Sequence, residues 1–200
     1  MNEKFYNLTN EKQDCMINGA MEVFAINGFK RASTDEMVRV SGVSKGLWFH
    51  YFDNKLGLYS FVVSYGVKYA LLELSLNVEK EEQDFFKVRR GIERAKVAMM
   101  EKYPYLPLLL ISLLRETDED ALMAVSDIRD KYADTVSEMQ IQTNREFLRR
   151  KEEAGKLMDI ITFALDGLLE AHYRKPVFRK ERFLEEADGY LDYMKSLSYR

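Results

Sequence analysis

The stretch that most constrains the fold is residues 33–55, in which two short helical patterns are separated by a turn. The S-x-x-E pattern from Ser33 to Glu36 predicts a helix start, with the Ser33 hydroxyl accepting a hydrogen bond from the Glu36 amide. Gly42 is expected to end that helix, because glycine readily adopts the left-handed conformation found after helix C-termini. Ser44 is predicted to cap the second helix. Two helices joined by a short glycine-containing turn are typical of a helix-turn-helix motif.

The second helix of this motif, predicted over residues 45–52, contains a glycine near its start. In helix-turn-helix proteins the first residues of the second helix meet the base edges of DNA. Gly46 costs about 1 kcal/mol of helix propensity relative to alanine, and close approach of the backbone to a phosphate or a base would explain that cost. The alternative is a pair of core helices in an ordinary bundle, with a chance glycine. The motif favours DNA binding over that alternative.

The sequence around the motif resembles the N-terminal domain of the TetR family of transcriptional repressors. The resemblance spans about residues 10–60, whereas the rest of the chain resembles the family only in its length and its all-helical pattern. It implies an all-α fold of about nine helices, with an N-terminal three-helix DNA-binding domain and a larger domain for ligand binding and dimerisation. The predicted domains are residues 8–54 and 55–200. The residues that carry the resemblance are Gly28-Phe29, Ser33-Thr34, Gly42-Val43-Ser44-Lys45-Gly46 and Phe49-His50-Tyr51-Phe52-Asp53-Asn54-Lys55-Leu56.

The resemblance also implies which residues contact DNA. Lys45 is long enough to reach a guanine edge or a phosphate, and Leu47 is placed for a thymine methyl group. Phe49 departs from the family, which most often has tyrosine there, and it cannot donate a hydrogen bond to a phosphate. Asp35 stands where some members carry a basic residue, and it would repel a phosphate. The full predicted set is Ser33, Thr34, Ser44, Lys45, Gly46, Leu47, Phe49, His50, Tyr51 and Lys55, while Trp48 and Phe52 are expected to pack inward.

The charge balance gives DNA binding little support. The chain has a net charge of −3, and residues 28–55 hold five basic and three acidic side chains. Phosphate contacts by basic residues usually supply much of the affinity for DNA, although helix N-termini also bind phosphate. We therefore expect DNA affinity to depend strongly on dimerisation.

Beyond the motif, the apolar periodicity predicts helices throughout. Residues 1–8 are expected to be frayed, and the first helix runs from Asn10 to Asn27-Gly28. A long fourth helix is predicted to carry movements from the second domain to the DNA-binding end. The later predicted helices span residues 55–76, 84–102, 104–115, 117–153, 156–173 and 179–197.

The larger domain contains methionine and aromatic side chains that suit a small, largely apolar effector. Such stripes more often form a core than a pocket, but TetR-like proteins bind an effector in this domain. An apolar pocket with a few polar groups is what a drug-sized ligand needs. The predicted pocket residues are Tyr65, Tyr69, Met99, Met100, Tyr103, Tyr105, Tyr132, Met139 and Phe163.

Small residues on the eighth predicted helix indicate close approach of another helix. Asp166, Glu170 and His172 interrupt this otherwise apolar helix, and they face solvent, a subunit interface or the pocket. The interface is favoured, since the family pairs its last two helices with their copies to make a four-helix dimer interface. The predicted interface residues are Ala164, Gly167, Leu168, Ala171, Leu184, Ala187 and Leu191.

The sequence offers little for catalysis, metal binding or membrane insertion. Its two histidines have no second histidine or cysteine at metal-ligand spacing, so no metal site or cofactor is expected. The single Cys15 fits a reducing cytoplasm. No signal peptide or transmembrane segment is expected.

The predicted function is that of a cytoplasmic, homodimeric transcriptional regulator, more specifically a repressor. It would bind a palindromic operator and be released by a small effector. The alternatives are a TetR-like helical protein acting mainly through a protein partner, a helical binding module without a DNA role, and an enzyme.

Overall fold

A computed structural model describes residues 3–199 and, within that range, contains nine α-helices and no β-strand. Three short 3-10 helices cover Glu3–Asn7, Arg145–Phe147 and Lys151–Glu153. The all-α prediction is confirmed. The α-helices are α1 (Asn10–Arg31), α2 (Thr34–Ser41), α3 (Lys45–Tyr51), α4 (Lys55–Asn77), α5 (Phe85–Met99), α6 (Leu106–Leu114), α7 (Glu119–Ile141), α8 (Ala154–Tyr173) and α9 (Lys180–Ser198).

The helices form two compact units. The first combines the described residues up to Leu71 with Met99–Ala133, and the second combines Leu72–Ala98 with the described residues from Asp134 onward. Because these units are defined by packing and not by function, the functional domains at residues 8–54 and 55–200 stay a prediction.

The core of the first unit is built around α1, which packs against α2 and α6. Met16, Ala20 and Phe24 recur every four residues along α1 and are fully buried, as expected for the core-facing stripe of a helix. Gly19 lies against α2, and a Cβ atom there would come within 2.8 Å of the Ser41 Cβ. A glycine is therefore required where α1 meets the motif.

The N-terminal segment is ordered where the sequence predicted fraying. Residues 3–7 form a 3-10 helix, and the Phe5 ring is 1% exposed. This ring lies 5.8 Å from Tyr51, 5.5 Å from Phe52 and 5.1 Å from Phe61, measured between ring centroids. The prediction of fraying was wrong for the described part of this segment. Burial of the Phe5 ring against three other aromatic rings offsets the conformational entropy lost when the segment is ordered.

Helix α7 is shorter than predicted, since it ends at Ile141 and not near residue 153. The chain beyond it replaces helical hydrogen bonds with bonds to distant segments. The Asn144 amide donates to the Gln83 carbonyl at 2.8 Å, and Leu148 pairs with Tyr199 in an isolated antiparallel bridge. Such partners are remote in sequence, so local periodicity did not reveal them.

The second unit contains a group of buried charges on α5. Arg89 and Glu93 are 2% and 1% exposed, and Arg89 Nη2 lies 3.1 Å from Glu93 Oε1. Lys96 Nζ lies 3.1 Å from the same Glu93 oxygen and 3.2 Å from Asp166 Oδ1 on α8. Asp166, which the sequence allowed to face solvent, an interface or the pocket, forms an ion pair within its own unit.

Candidate nucleic-acid interface

Helix α2 begins at the predicted position but with different capping. Ser33 is the N-cap, and its hydroxyl accepts a hydrogen bond from the Asp35 amide at 3.2 Å, not from Glu36. The Glu36 carboxylate accepts a hydrogen bond from the Asn27 side chain at 3.3 Å and pairs with Arg39. The predicted bond from the Glu36 amide to the Ser33 hydroxyl is therefore wrong, since that hydroxyl accepts from Asp35 instead.

The turn between α2 and α3 has the predicted chemistry. Gly42 has φ of 69°, in the left-handed region, and its amide donates to the Val38 carbonyl at 2.9 Å. The Ser41 hydroxyl accepts a hydrogen bond from the Val43 amide at 3.1 Å. Ser44 is the N-cap of α3 through its carbonyl, which accepts from the Leu47 amide at 3.0 Å, while its side chain makes no capping bond.

Helix α3 has an inner and an outer side. Trp48 is 2% exposed and Phe52, just after the helix, is 8% exposed, so both pack inward as expected. Lys45, Gly46 and Phe49 lie on the exposed side. None of the residues predicted to contact DNA is buried. Ser33, Ser44, Lys45, Gly46, Phe49 and His50 are exposed, and Thr34, Leu47, Tyr51 and Lys55 are partly exposed.

Two residues that the sequence analysis treated separately are in contact. The Lys45 ammonium lies 2.7 Å from Asp35 Oδ1, so a salt bridge links the start of α2 to the start of α3. Both side chains are largely exposed, and such pairs contribute only about 0–1 kcal/mol to stability. A phosphate or base that approaches Lys45 would compete with Asp35 for the ammonium group.

Lys55 has a structural role that the sequence did not indicate. Its ammonium donates to the carbonyls of Phe29, Lys30 and Ala32 at 2.9, 3.2 and 3.3 Å, and it lies 4.5 Å from the Phe29 ring centroid. These bonds use all three donors of the group. Lys55 thus caps the end of α1, where Gly28, with φ of 68°, kinks the helix.

A carboxylate also stabilises the kink at the end of α1. Glu116, which follows α6, accepts a hydrogen bond from the Phe29 amide at 2.9 Å. It also accepts from the amides of Thr117 and Asp118 at 2.9 and 3.0 Å. Two charged side chains, from the start of α4 and from the α6–α7 loop, therefore fix the end of α1 beside the motif.

Replacing Lys55 with methionine is expected to lower the free energy of unfolding by about 1–3 kcal/mol, because three carbonyls lose charge-assisted hydrogen bonds, two of which are partly buried. Urea unfolding followed by circular dichroism at a fixed protein concentration measures the change. Lys30→Met is the matched control, since the Lys30 side chain is exposed. Equal stability of the two variants would contradict the capping role of Lys55.

The residues predicted to line an effector pocket are placed in both units. In the first unit, the Tyr65 and Tyr103 hydroxyls are 2.7 Å apart, and the Tyr69 ring lies 4.9 Å from the Tyr103 ring. Burial, followed by the Tyr65 hydrogen bond, raises the pKa of Tyr103. Met99, Met100 and Tyr132 are buried, and Tyr105 is partly exposed beside Glu22, whose pKa burial raises. In the second unit, Met139 is partly exposed and Phe163 is 71% exposed.

The residues predicted to form a dimer interface differ in their access to solvent. Leu168, Ala187 and Leu191 are buried within the second unit, and Leu184 is partly buried. The small residues Ala164, Gly167 and Ala171 are exposed on α8. Large apolar side chains that the sequence analysis did not include are exposed on the same two helices. These are Ile160 and Phe163 on α8 and Tyr190, Tyr193 and Leu197 on α9.

Within residues 3–199, no three His, Cys, Asp or Glu side chains come together in a way that could hold a metal ion. No helix in the described part of the chain is long and apolar enough to cross a membrane.

Comparison with known proteins places the motif in a family. Residues 16–60 match the family model of the N-terminal domain described as bacterial regulatory proteins of the tetR family. No curated protein matches the chain in sequence.

Solved structures resemble the chain over nearly its whole length. A TetR family transcriptional regulator from Chloroflexus aurantiacus is 19% identical, with a TM-score of 0.65, and the similarity covers 99% of this chain and 98% of that one. PfmR, a TetR family regulator from Thermus thermophilus, is 16% identical, with a TM-score of 0.61 and coverages of 94% and 96%. A transcriptional regulator from Rhodococcus is 22% identical, with a TM-score of 0.59 and coverages of 94% and 95%.

At these identities the structural likeness establishes the fold, and the match over residues 16–60 establishes the type of DNA-binding domain. Residues 16–60 therefore form a DNA-binding domain of the kind found in bacterial regulatory proteins of the tetR family, and the described chain has the fold of TetR family transcriptional regulators.

Proposed function

We propose that this protein is a ligand-responsive repressor that binds a near-palindromic operator as a homodimer and is released by a small effector. In this proposal the start of α3 reads the major groove. The first turn of α2 and the ends of α3 approach phosphates.

The observation that carries the proposal is Gly46. Apart from its own helix and its chain neighbours, no described atom lies within 4 Å of the position that a Cβ would take there. Its φ is not positive either, so neither packing nor backbone conformation within the protein requires a glycine. Glycine at this position still costs the helix about 1 kcal/mol. The presence of Gly46 is therefore best explained by the close approach of a molecule outside the chain. Gly46 lies beside Lys45 on the exposed side of α3, where DNA is proposed to bind.

The proposed dimer is supported by the exposed apolar surface of α8 and α9. On α8, the positions 163, 164, 167 and 171 follow the three- and four-residue spacing of one helix face, and all are exposed. Large apolar side chains combined with small residues allow another helix to approach closely. A two-fold dimer would use the same face of both copies. It would place two α3 helices in major grooves about 34 Å apart.

The proposed effector site includes the tyrosine cluster of Tyr65, Tyr69 and Tyr103, which combines apolar rings with polar hydroxyl groups. The effector must bind the free and DNA-bound conformations with different affinities, because otherwise it could not shift the equilibrium between them. The bend at the end of α1, held by Lys55 and Glu116, is the proposed point at which movement of α4 or α6 reaches the motif.

Lys45→Ala is expected to weaken binding to the operator by about fivefold to 150-fold, the range for the loss of one specific side-chain contact to a base. The operator is first obtained by selection from random duplexes, and binding is measured by fluorescence anisotropy at several salt concentrations. Lys12→Ala is the control, since Lys12 is an exposed lysine outside the motif. Unchanged DNA binding by Lys45→Ala would show that α3 does not read DNA, and would favour a protein partner as the main ligand.

A further inference from the structure

A cavity of about 430 Å³ opens where the start of α8 meets the end of α9 in the second unit. Its volume falls within the roughly 300–1,000 Å³ that small-molecule sites occupy. The cavity is apolar along its floor, which is formed by Leu148, Leu157, Ile160, Met194 and Leu197. It lies outside the cluster of aromatic residues that the sequence analysis assigned to the effector.

The rim of this cavity is positively charged. Arg149, Arg150 and Lys156 are exposed along it, and Glu153 is the acidic residue among the lining side chains. Three positive charges against one negative charge stand out on a chain whose net charge is −3. Glu153 is already paired with Arg150 at 3.2 Å. The local charge therefore favours an anionic ligand.

Arg149 joins the rim to the end of α9 through two hydrogen bonds. The Arg149 amide donates to the Ser198 carbonyl at 2.8 Å, and Arg149 Nε donates to the Tyr199 carbonyl at 2.5 Å. Leu148 and Tyr199 form the antiparallel bridge beside them. Within residues 3–199, the Lys156 ammonium has no hydrogen-bond or ion-pair partner, so its charge is available to a ligand.

We propose that this cavity binds a small amphipathic anion, with one negatively charged head at the Arg149–Lys156 rim and a short apolar chain on the floor. The apolar chain would gain from leaving water, and the rim would distinguish head groups by their charge. An inorganic anion would lack contact with the floor, and a cationic amphiphile would be repelled by the rim. The proposal does not depend on DNA binding.

Isothermal titration calorimetry with the full chain tests the ligand class. The probes are octyl sulfate below its micelle concentration, 1-octanol, octyltrimethylammonium and inorganic sulfate. We expect octyl sulfate to bind most tightly, with about one molecule per protomer, and octyltrimethylammonium and sulfate to bind most weakly. Equal affinity for the three octyl compounds, or no binding of octyl sulfate, would overturn the proposal.

Charge-removing variants test the rim. The double variant Arg150→Gln/Lys156→Gln is expected to bind octyl sulfate about fivefold to tenfold more weakly, since two exposed charges are lost. Its matched control is Lys12→Gln/Lys80→Gln, which removes the same charge at exposed positions that do not line the cavity. The affinity for 1-octanol should change little in either variant. Equal loss of octyl sulfate binding in the two double variants would overturn the role of the rim.

Methyl NMR locates the site independently of affinity. With the methionine methyl groups labelled and the Met194 resonance assigned from Met194→Leu, octyl sulfate is expected to shift the Met194 signal. The signals of Met16 and Met21, which are fully buried in the first unit, should stay in place. A Met194 signal that does not move places the ligand elsewhere, and a shift of all three signals indicates general unfolding by the detergent. Either result would contradict the proposed site.

Discussion

Glu93→Ala is expected to lower the free energy of unfolding by about 3–5 kcal/mol. Glu93 is 1% exposed, and its Oε1 lies 3.1 Å from both Arg89 Nη2 and Lys96 Nζ. Removing the carboxylate leaves two buried cations close together with one anion, Asp166, that contacts only Lys96. An uncompensated buried charge is far more costly than the net gain of the pair.

Urea unfolding at a fixed protein concentration measures this loss. The matched control is Glu185→Ala, which removes an exposed glutamate from the second turn of α9 and should change stability by less than about 0.5 kcal/mol. If Glu93→Ala were as stable as the control, the charges on α5 would have to be hydrated and not buried as described.

Phe163→Asp is expected to dissociate the proposed dimer. Phe163 is 71% exposed in the protomer and lies on the face of α8 that carries Ala164 and Gly167. Truncating a central aromatic residue of an interface costs about 2 kcal/mol or more. A two-fold interface contains the residue twice, so the dimer dissociation constant should rise about a thousandfold.

Sedimentation analysis measures the dissociation constant, and operator binding should fall with it by at least about a hundredfold, because the two half-sites are no longer bound together. Met123→Asp is the control, since Met123 is 75% exposed on α7. A wild-type protein that sediments as a monomer at micromolar concentration, or a Phe163→Asp variant that remains dimeric, would contradict the interface.

The parts of the fold that the sequence predicted well depend on local chemistry. The turn between α2 and α3 followed from Gly42 and Ser44, because a left-handed glycine and an N-cap residue act within a few positions of themselves. The helical periodicity likewise gave the type of nearly every element. The inward orientation of Trp48 and Phe52 followed from the family resemblance.

The features that the sequence did not reveal depend on partners distant in the chain. Phe5 is ordered by rings on α3 and α4, and α7 ends where the chain instead bonds to residues 83 and 198. Lys55 was predicted to face phosphate, but its ammonium reaches carbonyls of α1. A lysine at a helix start gives no local signal of this kind.

The predicted dimer interface on α8 and α9 stays a prediction. The small residues Ala164, Gly167 and Ala171 are exposed, as an interface requires, whereas Ala187 and Leu191 pack inside the protomer. Apolar residues on an amphipathic helix face either the protomer core or a partner, and periodicity alone does not separate the two faces when both are apolar.

The measurement that tests the central claim most directly is selection of duplexes from a random pool by the wild-type chain and by Gly46→Glu, in parallel. Glutamate fits the open space at this position, so the variant should fold, but its side chain and charge would stand between α3 and DNA. We expect the wild type to enrich a near-palindromic sequence with half-sites about one helical turn apart, and the variant to enrich none. Enrichment of the same sequence by both proteins, or of no sequence by the wild type, would contradict the assignment of α2 and α3 as the DNA-reading element.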